Sequence, residues 1–540
     1  MKHRYHKAGS VFLAACMFHF AAFTQVNPQQ VQQFIATKNY DGHAGIPGFY
    51  SRLNYQTAWI QKENTGNLDI FLHMLSLSPV FALRAGDYRA EEIRAIRNGK
   101  LVLQNTGDSL DAEMNITSAA IRFYEDLAHG NTKPALGYNG LNYSPGCRNI
   151  PELLADHIYG GRLALLFLEV SPVFPEITAI ENKIKSLLIV MAGPGFYEPA
   201  VTSAAVDTAN KPLMARLYQL GIIGAADRYL PDSTLKEKIK EVQKQFDLVP
   251  DGVPGKMTRA QLNIPLSVRM QQLNLAVNYY RWLYCLVQQQ AVIVVNLPAA
   301  NLKVYQNREV LLRMRMIVGK RSTPTPTLAA RISEVILYPY WHVPKSIATK
   351  ELLPAIKRNP GYIDAGNYQV LNKAGNIVDP YSVNWHELNQ TNFPYLIRQS
   401  TGCDNALGLL KLNFYNPFGV YLHDTPNKNL FKQQKRFYSH GCMRMEKPMD
   451  MGHLVLGHNR VAIDTLDQKG CLRNQSPVTV KANERMPVIV WYNPVGIDSA
   501  NRVIFYEDVY GKFNWKEMNR NNAYAIYWQQ VPLSCIQNGN

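Results

Sequence analysis

Acidic residues are scarce in this chain of 540 residues. It carries 41 aspartates and glutamates against 57 lysines and arginines, which leaves a net charge of +16. An excess of this sign favours an anionic partner. The sequence has no zinc-finger spacing, no aromatic RNA-binding signature and no long basic run, so a nucleic-acid partner is not expected. An acidic cell-wall polymer would satisfy the same charge.

Cysteine is also scarce, and its spacing is not that of a metal site. The seven cysteines form no C-x-x-C pair and no zinc-ligand pattern, so the sequence predicts neither a metal nor a cofactor. Cys442 is expected to stay free. In an oxidising compartment five others could form disulfides, and their spacing leaves the pairing open. These five are Cys147, Cys285, Cys403, Cys471 and Cys535.

Long apolar runs are nearly absent. One run, at residues 9–23, follows a basic head, which is the pattern of an export signal. It is short for a transmembrane helix, and no other run reaches spanning length without charges. We therefore expect residues 1–24 to be a signal and the protein to be located in the periplasm or cell envelope. Because Leu13-Ala14-Ala15-Cys16 is similar to a lipoprotein box, the alternatives are acylation of Cys16, an ordinary signal cut, or retention as a membrane anchor.

The chain is organised around residues 418–446. An apolar run, Phe418-Gly-Val-Tyr-Leu422, ends at His423, and a polar, basic loop separates it from Ser439-His440-Gly441-Cys442, with Arg444 two positions further on. A cysteine becomes nucleophilic when a base or a positive charge favours its thiolate. Two histidines and an arginine can provide this setting for Cys442. The alternative is a lone buried thiol in a loop that contains histidines.

The motifs HDTP (423–426) and SHGCMRM (439–445) together resemble the signature of the L,D-transpeptidases, whose catalytic domain is of the YkuD type. The resemblance implies that Cys442 is the nucleophile and His423 the general base. It places His440 and the backbone around Gly441 near the oxyanion that forms during acyl transfer.

Three neighbouring residues are candidates for contact with the substrate. Tyr421 shares a strand face with His423 and could contribute its hydroxyl. Arg444 could bind a carboxylate or brace the loop, and Ser439 could contact the substrate or hold the loop by hydrogen bonds. Asp424 is not expected to complete a triad, because adjacent residues of an extended segment point to opposite sides.

The resemblance also implies the reaction and its partners. The expected substrates are peptidoglycan stem tetrapeptides that end in meso-diaminopimelate and D-alanine, and carbapenem-type inhibitors are expected to acylate Cys442. Attack by the thiolate would release D-alanine, and the amine of a second stem would resolve the thioester into a 3→3 cross-link. The same residues could instead serve an L,D-carboxypeptidase. A wall-binding protein without catalysis is the alternative from another class.

The length predicts about three domains. The predicted class is multidomain α+β: a mainly β catalytic domain of the YkuD type with an inserted capping subdomain, a helical scaffold and a small three-helix peptidoglycan-binding module. This layout resembles the large YcbB-like branch of the family. The predicted boundaries are 1–24 for the signal, 25–205 for the scaffold, 206–265 for the module, 266–288 for a connecting helix, 289–510 for the catalytic domain with its insertion at about 344–412, and 511–540 for a tail.

The module is predicted from two helices and a sharp turn. Thr234-Leu-Lys-Glu237 predicts a capping box at the start of the first helix, and turn residues at 251–255 precede a second helix at about 256–262. The segment resembles the peptidoglycan-binding module, except that Asp247 stands where that module has glycine. The alternative is a helical hairpin that only supports its neighbours.

The catalytic domain is predicted from β-branched and alternating apolar segments. The segments are 292–297, 302–305, 310–319, 331–338, 461–465, 486–492 and 502–506. The insertion follows Tyr340-Trp341, which could be core or cleft residues, and includes the helical segment KSIATKELLPAIKR. Gly402 and Gly408 near its end suit a mobile lid over the site.

Overall fold

A computed structural model describes residues 26–38, 45–227, 229–459, 463, 464, 466, 472, 475–482 and 484–513. The predicted signal and nearly all of the predicted tail lie outside the described residues. Across the described ranges, no helix has both the length and the apolar character needed to cross a bilayer. The chain divides into two compact units: residues up to 128 together with 148–171, and residues 129–147 together with those from 172 onward. The predicted scaffold region 25–205 is thus shared between the two units.

The first unit is a helical body around one apolar core. Its helices are α1 (Pro28–Thr37), α2 (Ile46–Arg52), α3 (Thr65–Leu77), α4 (Ala90–Arg97), α5 (Thr106–His129), α6 (Ile150–Tyr159) and α7 (Leu163–Val170). The α5 helix is buried along most of its length, because apolar residues recur at helical spacing. Asn27 and Gln30 form a capping box that begins α1, and proline occupies the first turn of α1, α2 and α6.

A carboxyl group lies inside this core. The side chain of Glu113 is fully buried and accepts hydrogen bonds from the backbone N–H groups of Ala58, Trp59 and Ile60 and from the hydroxyl of Tyr50. Burial raises the pKa of Glu113 to about 7, and the four donors act in the opposite direction. The carboxyl therefore holds the segment that precedes α3 against α5.

Replacing Glu113 by alanine should destabilise the first unit by about 3 kcal/mol, because three buried N–H groups lose their acceptor. Hydrogen exchange at amides 58–60 and denaturant unfolding measure this loss. Because the pKa of Glu113 in the folded state lies above its ordinary value, the stabilisation by Glu113 is complete in acid and falls as the pH rises through about 7.

Glu91→Ala, which removes an exposed ion pair with Arg94, is the control and should cost less than about 1 kcal/mol. Equal unfolding curves for the two variants would contradict the assignment.

The second unit begins with helices that include the three-helix module. The helices are α8 (Pro175–Met191), α9 (Lys211–Gln219), α10 (Asp232–Gln245), α11 (Lys256–Leu262) and α12 (Leu266–Gln289). The buried guanidinium of Arg216 on α9 donates to the carbonyl oxygens of Leu262 and Ile264, at 2.7 Å each. These bonds join α9 to the end of α11 and to the start of α12. The α12 helix packs along α8, where Arg281 pairs with Glu181 at 2.7 Å.

The predicted capping box at Thr234 is wrong. The α10 helix begins two residues earlier, at Asp232, and its N-cap is Pro231 without a side-chain hydrogen bond. Proline fixes the backbone before the first turn, so the helix starts without the reciprocal bonds that the pattern Thr234-x-x-Glu237 predicts. Glu237 instead pairs with Lys240 on the helix surface.

The part of the second unit that follows α12 is built on a large mixed sheet. The strands of this sheet are β1 (Tyr138–Asn139), β2 (Val292–Asn296), β3 (Asn301–Gln306), β4 (Glu309–Gly319), β5 (Leu328–Leu337), β10 (Leu410–Phe414), β11 (Leu422–His423), β12 (Phe437–Ser439), β13 (Met443–Met445), β14 (Val478–Lys481) and β15 (Pro487–Trp491). In space, neighbouring strands follow the order β1-β5-β10-β11-β13-β4-β3-β2-β15, with β12 beside β4 and β14 beside β5. A buried apolar cluster spans these strands, so the sheet forms the core of the region.

The insertion forms a subdomain, here called the cap, with its own apolar core. Its elements are β6 (Trp341–His342), α13 (Lys345–Ile347), α14 (Leu353–Arg358), α15 (Tyr362–Ala365), β7 (Tyr368–Leu371), β8 (Ile377–Val378) and β9 (Leu396–Gln399). The strands form a sheet in the order β6-β9-β7-β8, and a π-helical turn at 348–352 joins α13 to α14. The predicted limits of 344–412 need correction, because the cap sheet starts at Trp341 and residues from Leu410 belong to β10 of the main sheet.

The remaining elements complete the second unit. They are α16 (Pro448–Leu456) and the hairpin of β16 (Val495–Ile497) and β17 (Val503–Phe505). The predicted strand at 461–465 lies largely outside the described residues, and its described members 463 and 464 are helical. Cys147 and Cys285 form a disulfide, and Cys403 is also disulfide-bonded, with a partner outside the described residues.

Candidate active site

Two short parallel strands bring the motif residues together. The β11 strand pairs with β13 so that His423 lies opposite Arg444. Because side chains alternate along a strand, Tyr421 and His423 lie on the same face of the sheet as Cys442 and Arg444. The rings of Tyr421 and His423 are 5.6 Å apart in an edge-to-face arrangement.

The thiol of Cys442 lies in a poorly solvated but electropositive place. Burial raises the pKa of Cys442 above its ordinary value, while hydrogen bonds from the backbone N–H and the hydroxyl of Tyr421 and the charges of Lys411 and Arg444 oppose this rise. Among the described cysteines it is the only free one. The net effect keeps the thiol protonated at neutral pH, so a base must remove the proton when the sulfur attacks.

His423 is held as a neutral imidazole. Its ring is buried, and its Nδ1 lies 2.5 Å from the main-chain oxygen of Asp424. Since Nδ1–H donates to that oxygen, Nε2 carries the free lone pair. Burial lowers the pKa of His423 to about 3, and the charges of Arg444 and Lys411 act in the same direction. The ring can therefore accept a proton only when negative charge develops nearby.

The carboxylate of Asp424 does not complete a triad. It receives hydrogen bonds from the backbone N–H of Leu409 at 2.9 Å and of Thr425 at 2.6 Å, and it pairs with Lys428. Gly408, with φ of +59°, lies so close to this carboxylate that a Cβ would overlap it. Glycine at position 408 thus allows the backbone at the base of the cap to approach the Asp424 carboxylate closely. The structure gives no support for its predicted role in a mobile lid.

The loop that carries Cys442 is fixed by internal hydrogen bonds. The hydroxyl of Ser439 donates to the carbonyl of Cys442 at 2.6 Å and accepts from the N–H of Gly441 at 3.1 Å. Thr325 donates to the carbonyl of Gly441 at 2.8 Å. Gly441 has φ of +118°, which side-chain-bearing residues rarely adopt, so glycine is required there. Ser439 is buried, and these bonds are those of the loop-holding role, one of its two predicted roles, whereas its contact with the substrate stays a prediction.

The cap touches the site through two residues. The indole of Trp341 hydrogen-bonds to the hydroxyl of Tyr421, and Trp341 also packs against the core of the cap, so it has features of both predicted alternatives. The carboxylate of Glu351 pairs with Nε2 of His440 at 2.7 Å. The motif places His440 at the oxyanion, whereas its ring is directed to the cap. The backbone next to Cys442 is thereby linked to the cap.

Lys411 is a site residue that sequence analysis missed. It lies opposite His423 in the antiparallel pairing of β10 with β11, so both side chains share one face. Its ammonium group is 4.0 Å from the ring centre of Tyr421, and it interacts electrostatically with Cys442. Burial lowers the pKa of Lys411. The alternation Leu410-Lys-Leu-Asn-Phe414 predicts that Lys411 leaves the core, but only the strand order shows that it enters the site.

Arg444 lies at the same face without a fixed partner. Its Nε is buried and has no hydrogen-bond partner within the described residues, and none of the described carboxylates lies within ion-pair distance of it. Burial lowers its pKa, and the electrostatic interaction with Cys442 opposes this effect. An unpaired, desolvated guanidinium is suited to a carboxylate ligand, which favours the first of its two predicted roles.

Three family models match the chain. Residues 290–463 match "L,D-transpeptidase catalytic domain", residues 44–182 match "Scaffold domain", and residues 210–262 match "Putative peptidoglycan binding domain". The matched regions contain the cleft residues, most of the first unit and the three-helix module. The matches do not distinguish the YcbB-like branch, which stays a prediction.

Relatives of known name are similar to part of the chain. A Haemophilus influenzae protein named "Putative L,D-transpeptidase" is 34% identical over 233 residues, which cover 42% of this chain and 46% of that protein. The chain thus spans about half the length of this curated relative.

Solved structures are similar at lower identity. An L,D-transpeptidase from Stackebrandtia nassauensis is 14% identical, covering 55% of this chain and 98% of its own, with a TM-score of 0.21. An L,D-transpeptidase from Mycobacterium smegmatis is 16% identical, covering 37% of this chain and 58% of its own, with a TM-score of 0.18. At these TM-scores the overall superposition carries no argument.

Replacing Lys411 by methionine should raise the pKa of the Cys442 thiol, because it removes a positive charge that favours the thiolate. We expect alkylation of Cys442 by iodoacetamide at neutral pH to slow about tenfold, the effect of about 1.4 kcal/mol. Lys411→Arg keeps the charge and should restore the pH profile. Lys432→Met, an exposed change in the loop after His423, is the control. Superimposable profiles for wild type and Lys411→Met would exclude this electrostatic role.

Proposed function

Residues 290–463 belong to the L,D-transpeptidase catalytic domain family, and from this premise we propose that the protein is a cysteine-dependent L,D-transpeptidase that forms 3→3 cross-links in peptidoglycan. The observation that carries the proposal is one cleft face shared by a free thiol, a neutral imidazole with an open lone pair, and two cations. These groups are Cys442, His423, Lys411 and Arg444.

In the first half-reaction the sulfur of Cys442 attacks the carbonyl carbon at the L-centre of the diaminopimelate residue of a stem tetrapeptide. The thiol proton passes to Nε2 of His423, and the carbonyl electron pair moves to oxygen. Collapse of this intermediate breaks the C–N bond, and the same proton goes to the departing amine of D-alanine. A thioester on Cys442 remains.

The low pKa of His423 determines when the proton can move. A buried imidazolium beside Lys411 and Arg444 is unfavourable on its own. It becomes acceptable when the tetrahedral intermediate carries a negative charge in the same cleft, because the oxyanion then attracts the imidazolium and offsets part of the positive charge. Proton transfer and attack are therefore coupled, and the resting enzyme keeps an unreactive neutral thiol.

The second half-reaction needs an amine instead of water. The side-chain amine of a second stem attacks the thioester carbonyl, His423 takes its proton, and the Cys442 thiol is restored when the C–S bond breaks. We expect the cap to support this step, because Trp341 and Glu351 contact Tyr421 and His440 beside the cleft. A covered cleft disfavours hydrolysis of the thioester.

The proposal extends to the location and partners of the protein. We place it in the periplasm or cell envelope, with its N-terminal segment as a signal, an anchor or a lipid attachment site. Peptidoglycan stems are its substrates, and carbapenems are its expected covalent inhibitors. The excess of positive charge over the chain is consistent with an anionic wall polymer.

Cys442→Ala should abolish both cross-linking of purified disaccharide-tetrapeptide and covalent carbapenem attachment, because no other described cysteine carries a free thiol. Mass spectrometry of the products and of the intact protein measures both. His423→Ala should slow acylation by about 100-fold or more, the usual effect of losing a general base. His440→Ala should have a smaller effect on acylation, since that ring contacts the cap.

Dimers formed by the Cys442→Ala protein would remove the cysteine from the mechanism. A larger acylation defect in His440→Ala than in His423→Ala would reverse the assignment of the base. Tripeptide monomers as the only product of the wild type would favour the L,D-carboxypeptidase.

Weakening the cap should change how the thioester is resolved. Glu351→Gln removes the charge that pairs with His440, and we expect the ratio of dimer to tripeptide monomer to fall by up to about fivefold while carbapenem acylation is kept. Chromatography of the products measures the ratio. Glu387→Gln, an exposed change elsewhere on the cap, is the control. An unchanged ratio would show that this contact does not govern the choice of acceptor.

A further inference from the structure

A second cavity lies apart from the cleft, between the three-helix module and the catalytic sheet. Its volume is about 380 Å³, within the range of small-ligand sites. The end of α10, the turn at 249–255 and α11 form one wall. Residues 298–300, 434–437 and 507–509 form the other. Both walls belong to the second compact unit.

The module side of the cavity is apolar and partly open to water. Phe246 is buried at its base, whereas Val249, Val253 and Met257 are 59%, 45% and 43% exposed. These three exposed apolar side chains lie around one cavity, and clusters of exposed apolar side chains can mark binding sites. The apolar lining suits the methyl and methylene groups of a ligand.

Asp247 introduces a carboxylate into this lining at a cost in stability. Its backbone is left-handed, with φ of +52°, a conformation that glycine adopts more easily. It stands where the related module pattern has glycine. Burial raises its pKa to about 6, and the nearby charge of Arg436 opposes the rise. Glycine would satisfy this backbone conformation without a side chain, so a partly buried carboxylate in its place indicates a function rather than a need of the fold.

The carboxylate also reaches the chain segment that leads to the nucleophile. The side-chain amide of Gln434 donates to the main-chain oxygen of Asp247 at 2.8 Å and to its Oδ1 at 3.2 Å. The other carboxylate oxygen receives no hydrogen bond from the described residues. Gln434 lies just before β12, which ends at Ser439 in the loop that carries Cys442.

We propose that this cavity binds the free primary amine of a peptidoglycan stem peptide, and that Asp247 is the anion that recognises it. This inference rests on the proposed function, which supplies stems whose diaminopimelate residue carries such an amine. The ammonium group would pair with the open carboxylate oxygen, and the methylene side chain would pack on the apolar wall. The lining also holds Asp251, Lys256 and the ion pair of Lys435 with Glu507, and the Asp247 carboxylate lies beside the apolar side chains. A carboxylate next to an apolar wall suits a cation on an aliphatic stem.

Recognition of a free amine has a consequence for the substrate. A 3→3 cross-link converts the acceptor's primary amine into an amide, which carries no charge. A site that selects the ammonium form therefore retains stems that have not yet served as acceptors and releases those that have. The module would hold the enzyme on regions of the wall that still offer substrates.

The test uses the full chain carrying Cys442→Ala, so that no turnover occurs. Calorimetric binding of purified disaccharide-tetrapeptide is compared with that of the same fragment acetylated at its free amine. Asp247→Asn keeps an oxygen for Gln434 and tolerates the left-handed backbone while it removes the charge. It should weaken binding of the unmodified fragment about tenfold, and Asp247→Gly should do the same. The acetylated fragment should bind weakly and equally to all these proteins.

Asp232→Asn, an exposed change on the same module, is the charge-matched control and should leave binding unchanged. Two results would overturn the proposal. One is equal binding of the unmodified fragment to the Cys442→Ala protein with and without Asp247→Asn. The other is equal binding of the two fragments to the Cys442→Ala protein that keeps Asp247. Carbapenem acylation of Cys442 and product formation are measured separately in proteins with Cys442 intact. Charge-selective binding without product formation would support the cavity and overturn only the proposed function.

Discussion

The parallel pairing of β11 with β13 is the constraint on which the site depends. It has only two residue pairs, yet it decides that Tyr421, His423, Cys442 and Arg444 share one face. A shift of one residue would turn His423 and Cys442 to opposite sides. The register is held from outside the pair, because Thr325 and Ser439 fix the loop at one end and the Asp424 carboxylate fixes β11 to the start of β10 at the other. The strand pairing, rather than the motif alone, therefore places these four side chains on one face of the sheet.

Burial and charge compete at this face, and burial prevails. The cations Lys411 and Arg444 favour the thiolate, the second of them as the motif suggested, but desolvation keeps both Cys442 and His423 neutral. A neutral pair costs less in a buried place than a separated thiolate and imidazolium, which would add a third cation beside two existing ones. In the proposed mechanism the cations gain their full effect only when an oxyanion forms between them. The site would then suit the charge distribution of the proposed intermediate better than that of the free protein.

Local sequence signals predicted the parts of the fold whose causes are local. The apolar segments became strands β2 to β5, and the spaced histidine and cysteine motifs marked the cleft. Sequence patterns could not assign three residues to the cleft, because each reaches it through strand order or through the packing of the cap, which no short pattern encodes. These residues are Lys411, Trp341 and Glu351.

The predicted Thr234 capping box was wrong because Pro231 sets the helix start by a different mechanism. His440 matched a motif, but its ring is directed by Glu351, a residue far away in sequence. The sequence showed that Asp247 departs from the module pattern, but its proposed role in binding follows only from its position in the cavity.

The segment between His423 and Cys442 is long for a connection between adjacent strands, and its contacts give a physical reason. The guanidinium of Arg436 donates to the carbonyl of Ala299 at 3.0 Å, and its own carbonyl accepts from Val318 at 2.9 Å. The segment therefore leaves β11, runs along the edge of the sheet to the module, and returns as β12 before the nucleophile. Because β11 and β13 are parallel, their connection must be a crossover of about a dozen residues or more, and this crossover also contacts the module. The route joins the nucleophile loop to the module at Gln434 and to the cap at His440. The module and the cap therefore both contact the segment that leads to Cys442, at Gln434 and at His440.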